Sequence, residues 1–128
     1  MWPEPLVLDA GALVAVERGR ADLRDTVGLA RRGRVRLVTS GAVVAQVWRG
    51  GPRQARLAAL LGSGLVEERA LDGVAGRRVG ELAARQGQAD VVDGHVALLA
   101  VDLHAAVLTS DVDDLLAWGV SRSRLRGV

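Results

Sequence analysis

Four short runs of branched and small apolar residues punctuate the chain: Leu6-Val7-Leu8, Val35 to Thr39, Leu65-Val66-Glu67 and Ala105 to Thr109. Between them lie stretches with helical spacing. Parallel strands need a crossover long enough to hold a helix, so strand-length runs that alternate with helices specify a parallel sheet covered on both faces. The predicted fold class is α/β, a three-layer α/β/α sandwich with a central parallel sheet of four to five strands. A single domain over residues 1–128 is expected, since a chain of 128 residues buries about two thirds of its unfolded surface in one core. No internal repeat, linker or low-complexity tract divides it.

Local signals set the boundaries. Asp9 closes the first run and precedes a helix over Ala10 to Glu17, and Ala21 to Arg32 carries Leu23, Val27 and Ala30 at helical spacing before Gly33 stops it. Ser40 is read as the cap of a helix reaching Arg49. Gly50-Gly51-Pro52 ends that helix and gives the next, to Leu61, a proline at its favoured first position. Asp72, Asp90 and Asp111 are read as openings of three further helices, to about Arg85, Val101 and Trp118, and Ser123 to Val128 as an edge strand.

Composition narrows the chemistry. Cys, Lys, Tyr, Phe, Ile and Asn are absent. That removes Schiff bases, a P-loop lysine, thiol catalysis, thiolate zinc sites and disulfides. Carboxylates, arginine, hydroxyls and bound metal remain. The 17 basic residues are all arginine against 15 acids, a net charge of +2. With no lysine or tyrosine to titrate above neutrality, the isoelectric point of about 10.8 overstates the basic character. Met1 to Pro5 has neither the charged nor the apolar part of a signal peptide, and the longest uncharged stretch, Leu37 to Trp48, is too short to span a bilayer. A cytoplasmic protein without membrane contact is expected. Trp48 and Trp118 are assigned to core or interface space, and Trp2 to covering an interface.

The acids fall where such a sheet places ligands, outside the carboxyl ends of its strands: Asp9 after the first run and Asp111 after the fourth. Asp90 and Asp93 share a face in the first turn of the most apolar helix. Each also fits a plainer role, because aspartate is a favoured N-cap and complements a helix dipole. Asp93 fits that role least, since it interrupts an apolar helix. Two carboxylates about 4 Å apart repel by about 4 kcal/mol at an effective dielectric of 20, so a converging cluster requires a cation or a proton. No Arg or His stands at a spacing that neutralises it. Oxygen-only ligands favour Mg²⁺ or Mn²⁺, which can polarise a phosphodiester and activate water.

In order and spacing, four segments resemble a PIN domain, most closely the VapC-type toxins of bacterial toxin–antitoxin pairs. They are Leu6-Val7-Leu8-Asp9-Ala10, Ala42 to Arg49, Asp90-Val91-Val92-Asp93-Gly94-His95-Val96-Ala97 and Thr109-Ser110-Asp111-Val112-Asp113-Asp114-Leu115. The resemblance covers roughly residues 6 to 120. It implies a Mg²⁺- or Mn²⁺-dependent endoribonuclease toxin that hydrolyses RNA, forms a homodimer, and is neutralised by a small antitoxin packing near the early helices. Asp9, Asp93 and Asp111 would be the first, third and fourth family acids. Asp90 is an additional metal candidate, and Thr109 and Asp114 would orient the site. The second family acid, ordinarily Glu, falls on Gln46. A Gln carbonyl can still ligate a metal but carries no charge and is no general base. Asp90 or Asp114 is expected to compensate, and the alternative is a catalytically weakened PIN-like binding module.

Arg31-Arg32-Gly33-Arg34-Val35-Arg36 and the group Arg49, Arg53 and Arg56 are candidate RNA-backbone contacts or plain solvated surface, and Arg122, Arg124 and Arg126 can serve RNA or a partner's acids. His95 and His104 are not expected to share a ligand.

Overall fold

The computed structural model describes residues 3–128. Strands β1 (Glu4–Leu8), β2 (Val35–Ser40), β3 (Val66–Arg69), β4 (Ala106–Thr109) and β5 (Leu125–Gly127) form one sheet in the order β3-β2-β1-β4-β5. Every pairing is parallel. Helices α1 (Ala10–Glu17), α2 (Ala21–Arg31), α3 (Gly41–Val47), α4 (Ala55–Gly62), α5 (Gly73–Gln86), α6 (Val91–Leu103) and α7 (Val112–Ala117) connect them. The α/β three-layer sandwich expected from the alternating pattern is the fold observed. From β1 to β3 the sheet grows in one direction, and β4 and β5 extend it in the other. With right-handed crossovers, α1 to α4 then cover one face and α5 to α7 the opposite one. Helix packing agrees: α1 packs on α2, α3 and α4, and α6 mainly on α5 and α7, with a smaller contact between α3 and α6. The winding reverses between β1 and β4, and ligands of open α/β sheets bind at that crevice.

Burial follows position in the sheet. Val7 and Leu8 of central β1, Leu37 and Val38 of β2, and Val107 of β4 are buried. Edge strand β3 buries Val66 and exposes Glu67 and Glu68, with Glu67 paired to Arg36 at 3.0 Å and to Arg69 at 2.6 Å. Helix α6 is buried without a break from Gly94 to Ala100, which explains an apolar composition on all its sides. A Cβ on Gly94 would stand 2.7 Å from both the Trp118 ring and Val79, so a hydrogen at this position lets α6 lie against α5 and the end of α7.

Helix α3 ends at Val47, two residues before the expected Arg49, because Trp48 turns to extended backbone. The buried Gln54 side chain then takes over the backbone groups: its oxygen accepts from the Arg49 and Gly50 amides at 2.8 and 2.9 Å, and its amide donates to the Val47 carbonyl at 2.8 Å. Pro52 opens a 3-10 turn, Pro52–Gln54, and the α-helix begins only at Ala55. Trp118 is core, 2% exposed, whereas Trp48 is 40% exposed and does not fill the interior. Trp2 lies outside the described residues. Among the described residues no helix is long and apolar enough to cross a membrane.

Candidate active site

Asp9 leaves the carboxyl end of β1 exactly where the sheet reverses, held by its amide on the Leu108 carbonyl of β4 at 3.0 Å. Its side chain is 2% exposed. One carboxylate oxygen accepts from the Ala10 amide at 2.8 Å and the other from the Thr109 hydroxyl at 2.7 Å. Burial raises the Asp9 pKa; the Thr109 and Ala10 hydrogen bonds offset this in part, and Asp111 and Asp90 push it further up. The Thr109 oxygen in turn accepts from the Asp111 amide at 2.9 Å, so one hydroxyl spaces the ends of β1 and β4.

From the other face, α6 and α7 bring their first turns to the same edge. Asp90 caps α6, accepting from the Val92 and Asp93 amides at 3.0 and 3.2 Å. Asp111 stands at the cap position of α7 but makes no capping bond with its side chain. The plainer role therefore accounts for Asp90, accounts for part of Asp9 and leaves Asp111 unexplained. Asp93 is half-buried, and its pKa rises to about 7, first through burial and then through Asp90, Asp9, Asp114 and Asp111. All the charges that act on it are negative. Asp113 and Asp114 occupy the exposed first turn of α7.

Gln46 is exposed near the end of α3 and makes no side-chain hydrogen bond among the described residues. The structure brings Asp90, Asp9, Asp114 and Asp111 into electrostatic reach of Asp93, and Gln46, being neutral, adds no charge to them. What spacing did not disclose is the tie between the helices bearing Gln46 and Asp93. The Ser40 hydroxyl caps α3 by accepting from Ala42 at 3.0 Å, and lies 2.6 Å from Nδ1 of buried His95 on α6. Burial lowers the His95 pKa, outweighing the upward pull of Asp72, so this imidazole adds no positive charge to compensate the acids. His104 ends α6 in left-handed backbone and is remote from that bond.

The donor chemistry fits a hard divalent cation: oxygen atoms only, excess negative charge and no opposing cation. As the side chains stand, no three His, Asp or Glu residues among those described form a group that could hold a metal ion.

The arginines collect elsewhere. A groove of about 440 Å³ runs between α2, α4 and the end of α1, floored by Val16, Leu23, Val27 and Leu60 and rimmed by Arg20, Arg24, Arg31 and Arg56. Arg36 is engaged with Glu67, and Arg124 donates to the Ala100 carbonyl at the end of α6 at 3.0 Å.

No family model matches the chain, and no curated protein matches it in sequence. Among solved structures it is similar to a chain described as "Structure of FitAB bound to IR36 DNA fragment", with a TM-score of 0.59 and 15% identity over 95% of this chain and 94% of that one. At that identity the likeness is one of fold, extending over nearly the whole of both chains.

Proposed function

We propose that the chain is a metal-dependent endoribonuclease toxin that acts on RNA as a homodimer and is neutralised by a small antitoxin. The observation that carries this reading is the gathering of Asp9, Asp90, Asp93 and Asp111 at the strand ends and first helix turns, where burial first and the neighbouring carboxylates second raise the Asp93 carboxyl to about 7. A fold does not retain such repulsion at a ligand-binding crevice without cost, and a cation relieves it. The resemblance of the acid-bearing segments to VapC-type toxins and the fold likeness to FitAB support the same direction.

In this reading Asp9, Asp93 and Asp111 hold Mg²⁺ or Mn²⁺, with Asp90 beside them. A divalent ion there polarises the phosphodiester and activates water. Thr109 fixes the Asp9 carboxylate by donating to one of its oxygens, and keeps the Asp111 backbone one hydrogen bond away. Asp114 adds charge at the rim, in part replacing what Gln46 lacks. The antitoxin would lay an apolar segment carrying acidic residues into the arginine-rimmed groove, where bidentate pairing with guanidinium suits carboxylates.

Titration of Mn²⁺ into the wild type, Asp93→Ala and Gln46→Glu, with cleavage of RNA as readout, tests the proposal. Metal-dependent cleavage lost in Asp93→Ala is expected; full activity in that variant would end the mechanism. The second reading, a binding module with weakened catalysis, is favoured by the exposed, neutral Gln46 and by the open arrangement of the acids. Cleavage absent from wild type but present in Gln46→Glu would select it.

A further inference from the structure

Beside the acids, on the α1 side of the sheet, lies a second hollow of about 330 Å³, lined by Ala10, Gly11, Val14, Arg18, Ser110 and Val128 among others. It shares its inner wall with the acid site, since Ala10 and Gly11 directly follow Asp9 and Ser110 stands between Thr109 and Asp111. That wall depends on a missing side chain. A Cβ on Gly11 would stand 2.5 Å from the Ser110 hydroxyl and 2.9 Å from its amide nitrogen, so only glycine lets the β4–α7 loop lie against α1.

Arg20 also lines the hollow but is committed to Asp22, by bonds of 3.2 and 2.7 Å. The exposed Arg18 guanidinium and the Ser110 hydroxyl have no hydrogen-bond partner among the described residues. A polyanion that approaches five aspartates needs positive charge close by, and a guanidinium with free donors lining the same hollow as a free hydroxyl is suited to a phosphate.

We propose that this hollow is a phosphate subsite, in which Arg18 and Ser110 hold a phosphodiester of the RNA strand next to the one at the acids. The inference rests on the nuclease reading of those acids and adds to it the direction in which the strand leaves them. Arg18 is here a binding residue; it touches no reacting atom.

The test measures fluorescence anisotropy of a labelled single-stranded oligoribonucleotide with the full chain in EDTA, where metal-dependent cleavage is suppressed. Wild type, Arg18→Ala, Arg18→Lys, Ser110→Ala and, as an exposed arginine on α5, Arg85→Ala are compared over a range of salt. Arg18→Ala is expected to weaken binding about tenfold and to reduce the slope of log K against log salt by about 0.7, with Arg18→Lys restoring the slope. Ser110→Ala should weaken binding about threefold at an unchanged slope. Equal losses in Arg18→Ala and Arg85→Ala, or no change in either, would overturn the subsite. Cleavage by wild type in Mn²⁺ separates the two claims: a cleaving enzyme with an unaffected Arg18→Ala loses the subsite alone, whereas a wild type that neither cleaves nor binds RNA loses both. Thermal melts of each variant establish that it is folded.

Discussion

The acid edge and the groove are built from one chain in opposite ways. At the edge, the ends of β1 and β4 and the first turns of α6 and α7 gather aspartates that repel one another, with Asp9 buried and Asp93 driven to about 7. In the groove, α2, α4 and the end of α1 set arginines around an apolar floor, where their aliphatic stems can lie on the hydrophobic surface and their heads reach water. The net charge of +2 sums 17 arginines and 15 acids over the whole chain and describes neither region. The lesson is that buried carboxylates crowded by other carboxylates mark the edge, whereas apolar surface framed by charge marks the groove, and the two suit different classes of ligand.

The largest expected effect removes the edge outright. Asp9→Ala should lower metal-dependent cleavage about a thousandfold, roughly 4 kcal/mol of lost transition-state stabilisation, in single-turnover assays on RNA; cleavage within tenfold of wild type would break the contrast. Gly94→Ala attacks the edge without touching a charge. Its methyl would meet Trp118 and Val79, and denaturant unfolding should show a loss of about 1–3 kcal/mol. Gln46→Glu should sharpen the edge, lowering the apparent Mn²⁺ dissociation constant about tenfold by calorimetry, because one more carboxylate adds to the donor charge.

The smallest effect follows from protons. A carboxyl at about 7 in the folded chain against 3.8 ordinarily binds its proton more tightly when folded. Its contribution therefore favours the folded state at low pH, declines as pH rises from about 4 to about 7, and is constant above. Asp93→Asn should remove that decline, raising Tm by roughly 3 °C at pH 8 and less at pH 5, since solvent screens a half-buried site. An unchanged difference between the two pH values would contradict the burial and carboxylate crowding assigned to Asp93.

The three inner strands were legible in the sequence because a central parallel strand needs an apolar centre, which Leu6-Val7-Leu8 in β1, Leu37-Val38 in β2 and Ala106-Val107-Leu108 in β4 supply. Polar β3 extends to Arg69 beyond the expected Glu67 because ion pairs to β2 and within the strand support an edge. The early end of α3 was hidden because its terminator is a side chain seven residues further on, Gln54, and periodicity carries no information about such a clamp. The acids were legible one by one, as residues at strand ends and helix starts. Their relation was not: the Thr109–Asp9 bond, the His95–Ser40 bond and the fit of Ser110 to Gly11 join residues distant in sequence. Gly94 did carry a signal, since glycine inside an apolar helix costs about 1 kcal/mol and asks for a packing reason.

The bond between Thr109 and Asp9 spans 100 residues of chain. Asp9 precedes its partner strand β4 and the acid at 111 by about a hundred residues, and parallel pairing of such distant segments closes slowly. The acid edge accordingly cannot form before β4 has paired with β1. A chain that lacks β4 carries Asp9 without the hydroxyl that holds its carboxylate and without Asp111, so the edge assembles only when segments a hundred residues apart have met.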